Sequence, residues 1–159
     1  MTFSIFIETT SDKFYNYIQD AVNKAPRERF NLENHPHLHS LLSNLPKLAD
    51  WKKVQPLKAG PIQVIRGMPQ DKDSGVVVVS RNWKAKEDQD HFLSTLDKNK
   101  TYVMFVDSKE ERDQIAGKVD LKSYYIQFTL ANEARDKEIC LDAIAAATLQ
   151  HNLRLAGFL

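Results

Sequence analysis

The chain has 159 residues, of which 42% are hydrophobic and 27% are charged, and its formal net charge is +1. This length and composition are typical of one soluble domain with a substantial core. No stretch approaches the 18 apolar residues of a membrane span, and the amino terminus does not resemble a secretory signal. The single cysteine excludes an internal disulfide, and no Cys/His spacing suits structural zinc.

The charge is distributed unevenly along the chain. Residues 47–86 hold nine Lys or Arg against three Asp, a local balance of +6, together with both tryptophans. A basic stretch of this kind attracts anions, although an ordinary solvated face is the alternative explanation. The candidate anion-binding residues are Lys52, Lys53, Lys58, Arg66, Arg81 and Lys84.

The first third of the chain predicts a strand followed by two helices. Residues 3–8 alternate between apolar and polar side chains, which is typical of a half-buried strand. The next segment is helical in pattern, with Thr10 or Ser11 as its cap, and Pro26 ends it. Leucines at helical spacing over residues 36–48 predict a second helix.

The middle of the chain contains two apolar, β-branched runs. Residues 61–67 and 75–81 flank a turn-rich segment, so they predict a β-hairpin. Residues 76–79 are four consecutive valines without polar alternation, which indicates a strand covered on both faces. Residues 84–98 fit either a helix or a strand followed by a turn, and both alternatives stay open here.

The last third predicts two more strands and two helices. Residues 101–106 form an apolar strand, and Ser108 with Glu111 makes a capping box for a short helix. Residues 124–130 alternate like a second strand. A long apolar helix that contains Cys140 then runs to about residue 155.

These elements predict an α+β fold with a mixed sheet of about five strands, flanking helices and a long apolar carboxyl-terminal helix. We expect a single domain over residues 1–159. Within it, residues 1–58 would form a helical amino-terminal part. Residues 60–159 would form the sheet and a core that resembles a catalytic domain.

Three histidines at positions 35, 37 and 39 are candidate metal ligands. In a helix, the side chains of His37 and His39 project about 160° apart, so only His35 and His39 could share an ion. Pro36 places His35 at or before the start of that helix. Surface histidines around a capped helix are therefore the preferred interpretation, and we expect no metal site.

The lone cysteine lies where a charged run, residues 132–138, meets an apolar one. A thiol in the first turn of a helix feels the positive end of the helix dipole, which favours the nucleophilic thiolate. If Asp136 is the cap, Cys140 lies in that first turn. If Asn132 is the cap, Cys140 lies two turns in and the effect has faded. An inert core cysteine is the common alternative.

Three residues have the order of a catalytic triad. His91 precedes a turn, Asp107 follows an apolar strand, and Cys140 opens the last helix. A base, an orienting carboxylate and a nucleophile can be distant in sequence, provided that they meet in space. Each residue also has an ordinary alternative role: an exposed helix residue, a helix cap and a core side chain, respectively.

At these residues, and over roughly residues 60–155, the chain resembles a clan of cysteine peptidases that includes adenovirus protease and the SUMO-specific proteases. Within that clan it is most similar to the YopJ family of bacterial effectors, which are Ser/Thr/Lys acetyltransferases. The matching residues are His91-Phe92, Asp97, Lys100-Thr101, Val103–Ser108 and Glu138-Ile139-Cys140.

The resemblance implies a cysteine-protease-like fold and a cysteine-dependent acyltransferase. His91 would be the general base, Asp107 would orient it, Cys140 would carry the acetyl group, and Asn132 would contribute to the oxyanion hole. Acetyl-CoA would be the donor, and a Ser, Thr or Lys of a target protein the acceptor. The basic segment would contact the phosphates of acetyl-CoA or of inositol hexakisphosphate.

By the same resemblance the protein is an effector, either cytoplasmic or secreted by a bacterium into the host cytosol. Its partner would be a protein, and neither a membrane nor a nucleic acid is expected. Two alternatives remain open. One is a protease for ubiquitin or a ubiquitin-like modifier. The other is a non-catalytic adaptor, inhibitor or immunity protein that binds through residues 47–86, which Leu141 supports because the family has Gly at that place.

Overall fold

The computed structural model describes residues 3–30, 62–67, 75–80, 86–120, 124–130 and 136–155. Strands and helices alternate along most of this chain. In order they are β1 (Phe3–Thr9), α1 (Asp12–Lys24), a 3₁₀ helix (Arg27–Phe30), β2 (Ile62–Arg66), β3 (Gly75–Ser80), α2 (Lys86–Ser94), β4 (Lys100–Val106), α3 (Lys109–Gly117), β5 (Tyr125–Leu130) and α4 (Lys137–Leu155). The helix predicted over residues 36–48, like the histidines near its start, lies outside the described residues.

The five strands form one sheet in the order β2-β1-β3-β4-β5, and every neighbouring pair is parallel. This is the order of a doubly wound sheet, in which the chain runs outward from β1 in one direction and then in the other. The α+β class, the five strands and the long last helix are thus confirmed. The sheet is parallel, however, and not mixed.

The predicted hairpin of residues 61–67 and 75–81 was wrong. β2 and β3 do not pair with each other, because β1 lies between them and pairs with both in parallel. A local pattern of apolar runs around a turn-rich segment identifies two strands, but it does not identify their partners. The partner of each strand is set by the distant residues of β1, which offers both of its edges.

Helices cover both faces of the sheet. On one face, α1, the 3₁₀ helix and α4 pack against alternate side chains of β1, β3 and β4. On the other face, α2 and α3 pack against the intervening side chains of the same strands. The valines of residues 76–79 are fully buried, which confirms that β3 is covered on both sides.

Local signals explain where several helices begin. The Ser11 hydroxyl accepts a hydrogen bond from the Phe14 N–H at 3.1 Å and starts α1. The Ser108 hydroxyl accepts from the Glu111 N–H at 3.2 Å and starts α3. The ambiguous segment over residues 84–98 contains the helix α2.

Among the described residues of the amino-terminal part, β1 is an inner strand of the sheet, and α1 packs on the same core as α4. Within the described ranges, no helix has the length and apolar character that crossing a membrane would require.

Candidate functional site

Cys140 lies in the first turn of α4. One side-chain oxygen of Asp136 accepts a hydrogen bond from the Glu138 N–H at 2.9 Å, and the Asp136 carbonyl accepts from the Cys140 N–H at 3.2 Å. Asp136 therefore occupies the capping position, which is one of the two alternatives left open by the sequence. The position relative to the helix dipole is the one that would favour a thiolate.

Burial nevertheless decides the chemistry of this thiol. Cys140 is fully buried in the core between the sheet and α1, and the side chain of Tyr17 lies within hydrogen-bonding reach of its sulfur. Desolvation, together with the charge of Asp136, raises the pKa of Cys140 to about 11, and the Tyr17 hydrogen bond only partly opposes this. Burial thus favours the neutral thiol, against the direction in which the helix dipole acts.

His91 lies in the last turn of α2 and is exposed. Its neighbour Phe92 packs in the core on the face of the sheet opposite to Cys140. The sheet therefore separates the helix that carries His91 from the thiol. The structure does not bring this histidine to the cysteine.

Asp107 follows the carboxyl end of β4 and is exposed. Its N–H donates a hydrogen bond to the side chain of Glu111 at 3.2 Å, so it takes part in the start of α3. His91 belongs to a helix that ends beside the start of β4, at the opposite edge of the sheet. The three triad candidates thus lie in three different places, and Asn132 lies outside the described residues.

Of the candidate anion-binding residues, the structure describes Arg66. This arginine ends β2, and its Nη1 lies 2.6 Å from Oδ1 of Asp12. Its guanidinium carbon lies 5.0 Å from the centre of the Tyr15 ring. The side chain keeps 41% of its surface exposed, so an oriented cation faces solvent. The other five candidates, Lys52, Lys53, Lys58, Arg81 and Lys84, lie outside the described residues.

The strand order creates a switch point between β1 and β3, since the chain leaves β1 toward β2 and later continues toward β4. In sheets of this kind, ligands bind in the crevice at the carboxyl ends of the two strands. Thr9 and Ser80 are paired in register at these ends. Thr10 and Ser11 follow β1 directly, so four hydroxyl-bearing residues lie at this end of the two strands.

The hydroxyl groups at the switch point are ordered by the backbone. The Thr9 hydroxyl accepts a hydrogen bond from the Ser11 N–H at 3.1 Å, and the Ser11 hydroxyl caps α1. A hydroxyl that accepts in this way still has its own hydrogen to donate. Because β2 and β1 are adjacent and parallel, Arg66 lies at the same edge of the sheet.

Sequence reasoning missed this edge because it looked for a nucleophile and its base. The available signal was a Thr-Thr-Ser run directly after one predicted strand and Ser80 followed by Arg81 after another. It becomes meaningful only when both strands are known to be parallel neighbours.

A second polar surface lies along α1. A groove of about 580 Å³ is lined by polar residues of this helix and by Lys137. Two of its cations, Lys24 and Lys137, each lie 3.1 Å from the carboxylate of Asp20, so the positive charge there is partly neutralised.

Among the residues that the structure describes, no group of three or more His, Cys, Asp and Glu side chains is placed to hold a metal ion. Comparison of the chain with protein-family models, with curated proteins and with solved structures finds no match.

Proposed function

We propose that the protein is a ligand-binding domain that takes a small phosphorylated molecule at the carboxyl edge of its sheet, over the crevice between β1 and β3. The observation that supports this most directly is the position of Arg66. An oriented, partly exposed guanidinium stands beside the hydroxyl-lined end of β1, at the switch point of a parallel sheet.

The chemistry of these groups suits a phosphate. A guanidinium carries five N–H donors, and Nη1 makes the contact with Asp12. Stacking over Tyr15 and pairing with Asp12 hold the plane of the group, so less conformational freedom is lost when an anion binds. The hydroxyls of Thr9 and Ser80, which are on short side chains, then donate hydrogen bonds to phosphate or sugar oxygens.

Two further candidate cations follow β3 in the sequence. Arg81 comes directly after Ser80, the last residue of β3, and Lys84 follows three positions later, both outside the described residues. The proposal keeps Arg66 from the anion-binding set expected from the basic segment and assigns to it the contact on the β2 side.

The cysteine-dependent acetyltransferase and the ubiquitin-like protease are not the functions that this geometry favours. Both need a base at the sulfur of Cys140, whereas His91 lies across the sheet from a buried thiol with a raised pKa. The cysteine-protease-like character stays a hypothesis. The ligands that the resemblance implies, acetyl-CoA and inositol hexakisphosphate, are still useful guides to probes because both are phosphorylated.

Isothermal titration calorimetry on the full chain tests the proposal. The probes are ATP, coenzyme A and inositol hexakisphosphate, each paired with a phosphate-free counterpart: adenosine, pantetheine and inositol. We expect binding of at least one phosphorylated probe and not of its counterpart. Arg66→Gln should weaken that binding by about tenfold or more, because a charge-assisted contact is lost.

Lys24→Gln is the matched control, since it also removes one positive charge but lies at the end of α1 away from the crevice. It should leave the affinity unchanged. Equal weakening by both variants would indicate non-specific attraction to a positive surface. Either that result or the absence of binding by all three phosphorylated probes would overturn the proposal.

A further inference from the structure

His151 is a buried titratable group that the ligand site does not use. It lies in the second half of α4 and is 1% exposed. Its Nδ1 atom lies 3.0 Å from Nη2 of Arg154 and 3.1 Å from the hydroxyl oxygen of Thr101, at the start of β4. The contact with Thr101 connects α4 to the sheet.

The arginine determines which nitrogen of the ring carries the hydrogen. A guanidinium can only donate, so Nδ1 must accept and must be unprotonated. The ring hydrogen therefore lies on Nε2, and the Thr101 hydroxyl oxygen lies beside the same Nδ1 atom. A proton on Nδ1 would place a cationic donor against the guanidinium of Arg154, which has no acceptor to offer, so the ring would have to move away from it.

The charged groups around the ring do not favour its protonation. On α4, Arg154 is the cation in contact with the ring. In the turn before β4, the carboxylate of Asp97 interacts electrostatically with Arg154. It is also paired with the buried ammonium of Lys100 at 2.9 Å. Tyr102 of β4 is an uncharged neighbour of this cluster, because burial raises its pKa to about 12. On the α4 face of the neighbouring strand β5 lie Gln127 and Thr129, which are polar but do not titrate.

We propose that His151 is an acid-sensitive latch, which holds the last turn of α4 on the amino-terminal end of β4 while its ring is neutral and releases this turn when the ring is protonated. The latch is independent of the proposed ligand site, since it lies at the opposite edge of the sheet. A chain exposed to acid would lose order at this end of α4 first.

Burial and the charge of Arg154 lower the pKa of His151 to about 4, from an ordinary value of 6.5. A group whose pKa is lower in the folded state stabilises that state fully above 6.5 and loses the contribution as the pH falls toward 4. Release of the turn should therefore become about 20-fold more frequent between pH 7 and pH 5.

Hydrogen exchange measured by mass spectrometry on the full chain tests the latch. After correction for intrinsic exchange, the protection of amides in residues 148–155 should fall about 20-fold between pH 7 and pH 5. In His151→Gln, whose side chain accepts a hydrogen bond but does not titrate, protection should be independent of pH. His91→Gln, which removes an exposed histidine, should behave like the wild type.

Two results would overturn the proposal: unchanged protection of residues 148–155 in the wild type, or an equal pH dependence in His151→Gln. If that variant does not fold, nitrogen NMR of the wild-type ring decides. We expect the tautomer with hydrogen on Nε2 at pH 7 and a titration midpoint below pH 5. A ring with its hydrogen on Nδ1, or one that titrates near pH 6.5, contradicts the latch.

Discussion

The two ends of α4 each carry a buried titratable side chain, and the two behave differently. Cys140 in the first turn and His151 near the end face the same core. Burial shifts both pKa values toward the neutral form, upward to about 11 for the thiol and downward to about 4 for the imidazole. Both groups are therefore neutral at pH 7.

The difference lies in the partners and in the pH range. The thiol hydrogen-bonds to a tyrosine hydroxyl, and no mild change of pH ionises it. The imidazole contacts a guanidinium, and its ordinary pKa lies just below neutrality, so weak acid already favours its exposed, protonated form. The same desolvation thus makes one side chain inert and the other responsive. Three experiments can break or sharpen this comparison.

The largest expected effect is the loss of global stability in acid. Since the pKa of His151 is lower in the folded chain than in the unfolded one, the free energy of unfolding should fall by about 3 kcal/mol from pH 7 to pH 4. Asp97 adds to this loss below its ordinary pKa, because its own pKa is lowered by the hydrogen bonds from Asn99 and Lys100. Urea denaturation at several pH values measures the slope.

His151→Gln should remove most of that slope, while His91→Gln should retain it. The comparison between the two ends of α4 fails if His151→Gln and the wild type show the same dependence on pH. It would then follow that other groups account for the acid sensitivity.

The second effect concerns the thiol. Because Cys140 is fully buried and its pKa is raised, its alkylation by iodoacetamide at pH 7.5 should be at least about a hundredfold slower in the folded chain than in urea. Cys140→Ala should fold, with a cost of about 2 kcal/mol for the cavity. Mass spectrometry of quenched samples measures the rate.

A control thiol is available on the surface. Ser94→Cys in the Cys140→Ala background places a cysteine at an exposed position of α2, where labelling should proceed at an ordinary rate. Rapid labelling of Cys140 in the folded wild type would show that the start of α4 opens readily. That result would revive the nucleophile hypothesis.

The smallest expected effect concerns the ion pairs that connect the 3₁₀ helix to the first turns of α4. Arg29, in the 3₁₀ helix, pairs with Glu138 at 2.6 Å and with Asp142 at 2.7 Å. Arg29→Gln should cost about 1 kcal/mol, since the carboxylates are largely exposed but both pairs are lost together. Arg112→Gln, which breaks an exposed pair between sequence neighbours, should cost close to nothing. Thermal denaturation at pH 7 compares the two variants.

If Arg29→Gln is no more destabilising than Arg112→Gln, the first turn of α4 is held by its apolar side alone. Core packing rather than ion pairs would then explain why Cys140 stays buried. If the cost is as predicted, accelerated alkylation of Cys140 in the Arg29 variant should accompany it.

Much of the local structure could be predicted because its causes are local. The alternation in residues 3–8 and 124–130 and the caps at Ser11 and Ser108 depend on neighbouring residues, and the structure contains the corresponding elements. Even the start of α4 was one of two stated alternatives. A capping side chain accepts a hydrogen bond from a backbone N–H two or three residues further on, so its effect is local.

The pairing of the strands could not be predicted in the same way. The apolar runs of β2 and β3 are compatible with a hairpin, and β1, which separates them, is distant in sequence. The predicted catalytic triad could not be tested from the sequence for the same reason. The order of His91, Asp107 and Cys140 suggested a triad, but order along a chain does not specify the face of the sheet on which each helix packs.

By itself, the sequence determined the strands near residues 3–8, 101–106 and 124–130 and the helix caps at Ser11 and Ser108, and it narrowed the start of the last helix to two alternatives. Only the tertiary structure decided that this thiol is buried and neutral, that the sheet lies between it and His91, and that Arg66 stands beside the switch point. The physical reason is that hydrogen-bonded caps and periodicity act over a few residues. Desolvation and the meeting of charged groups depend on which distant elements pack together.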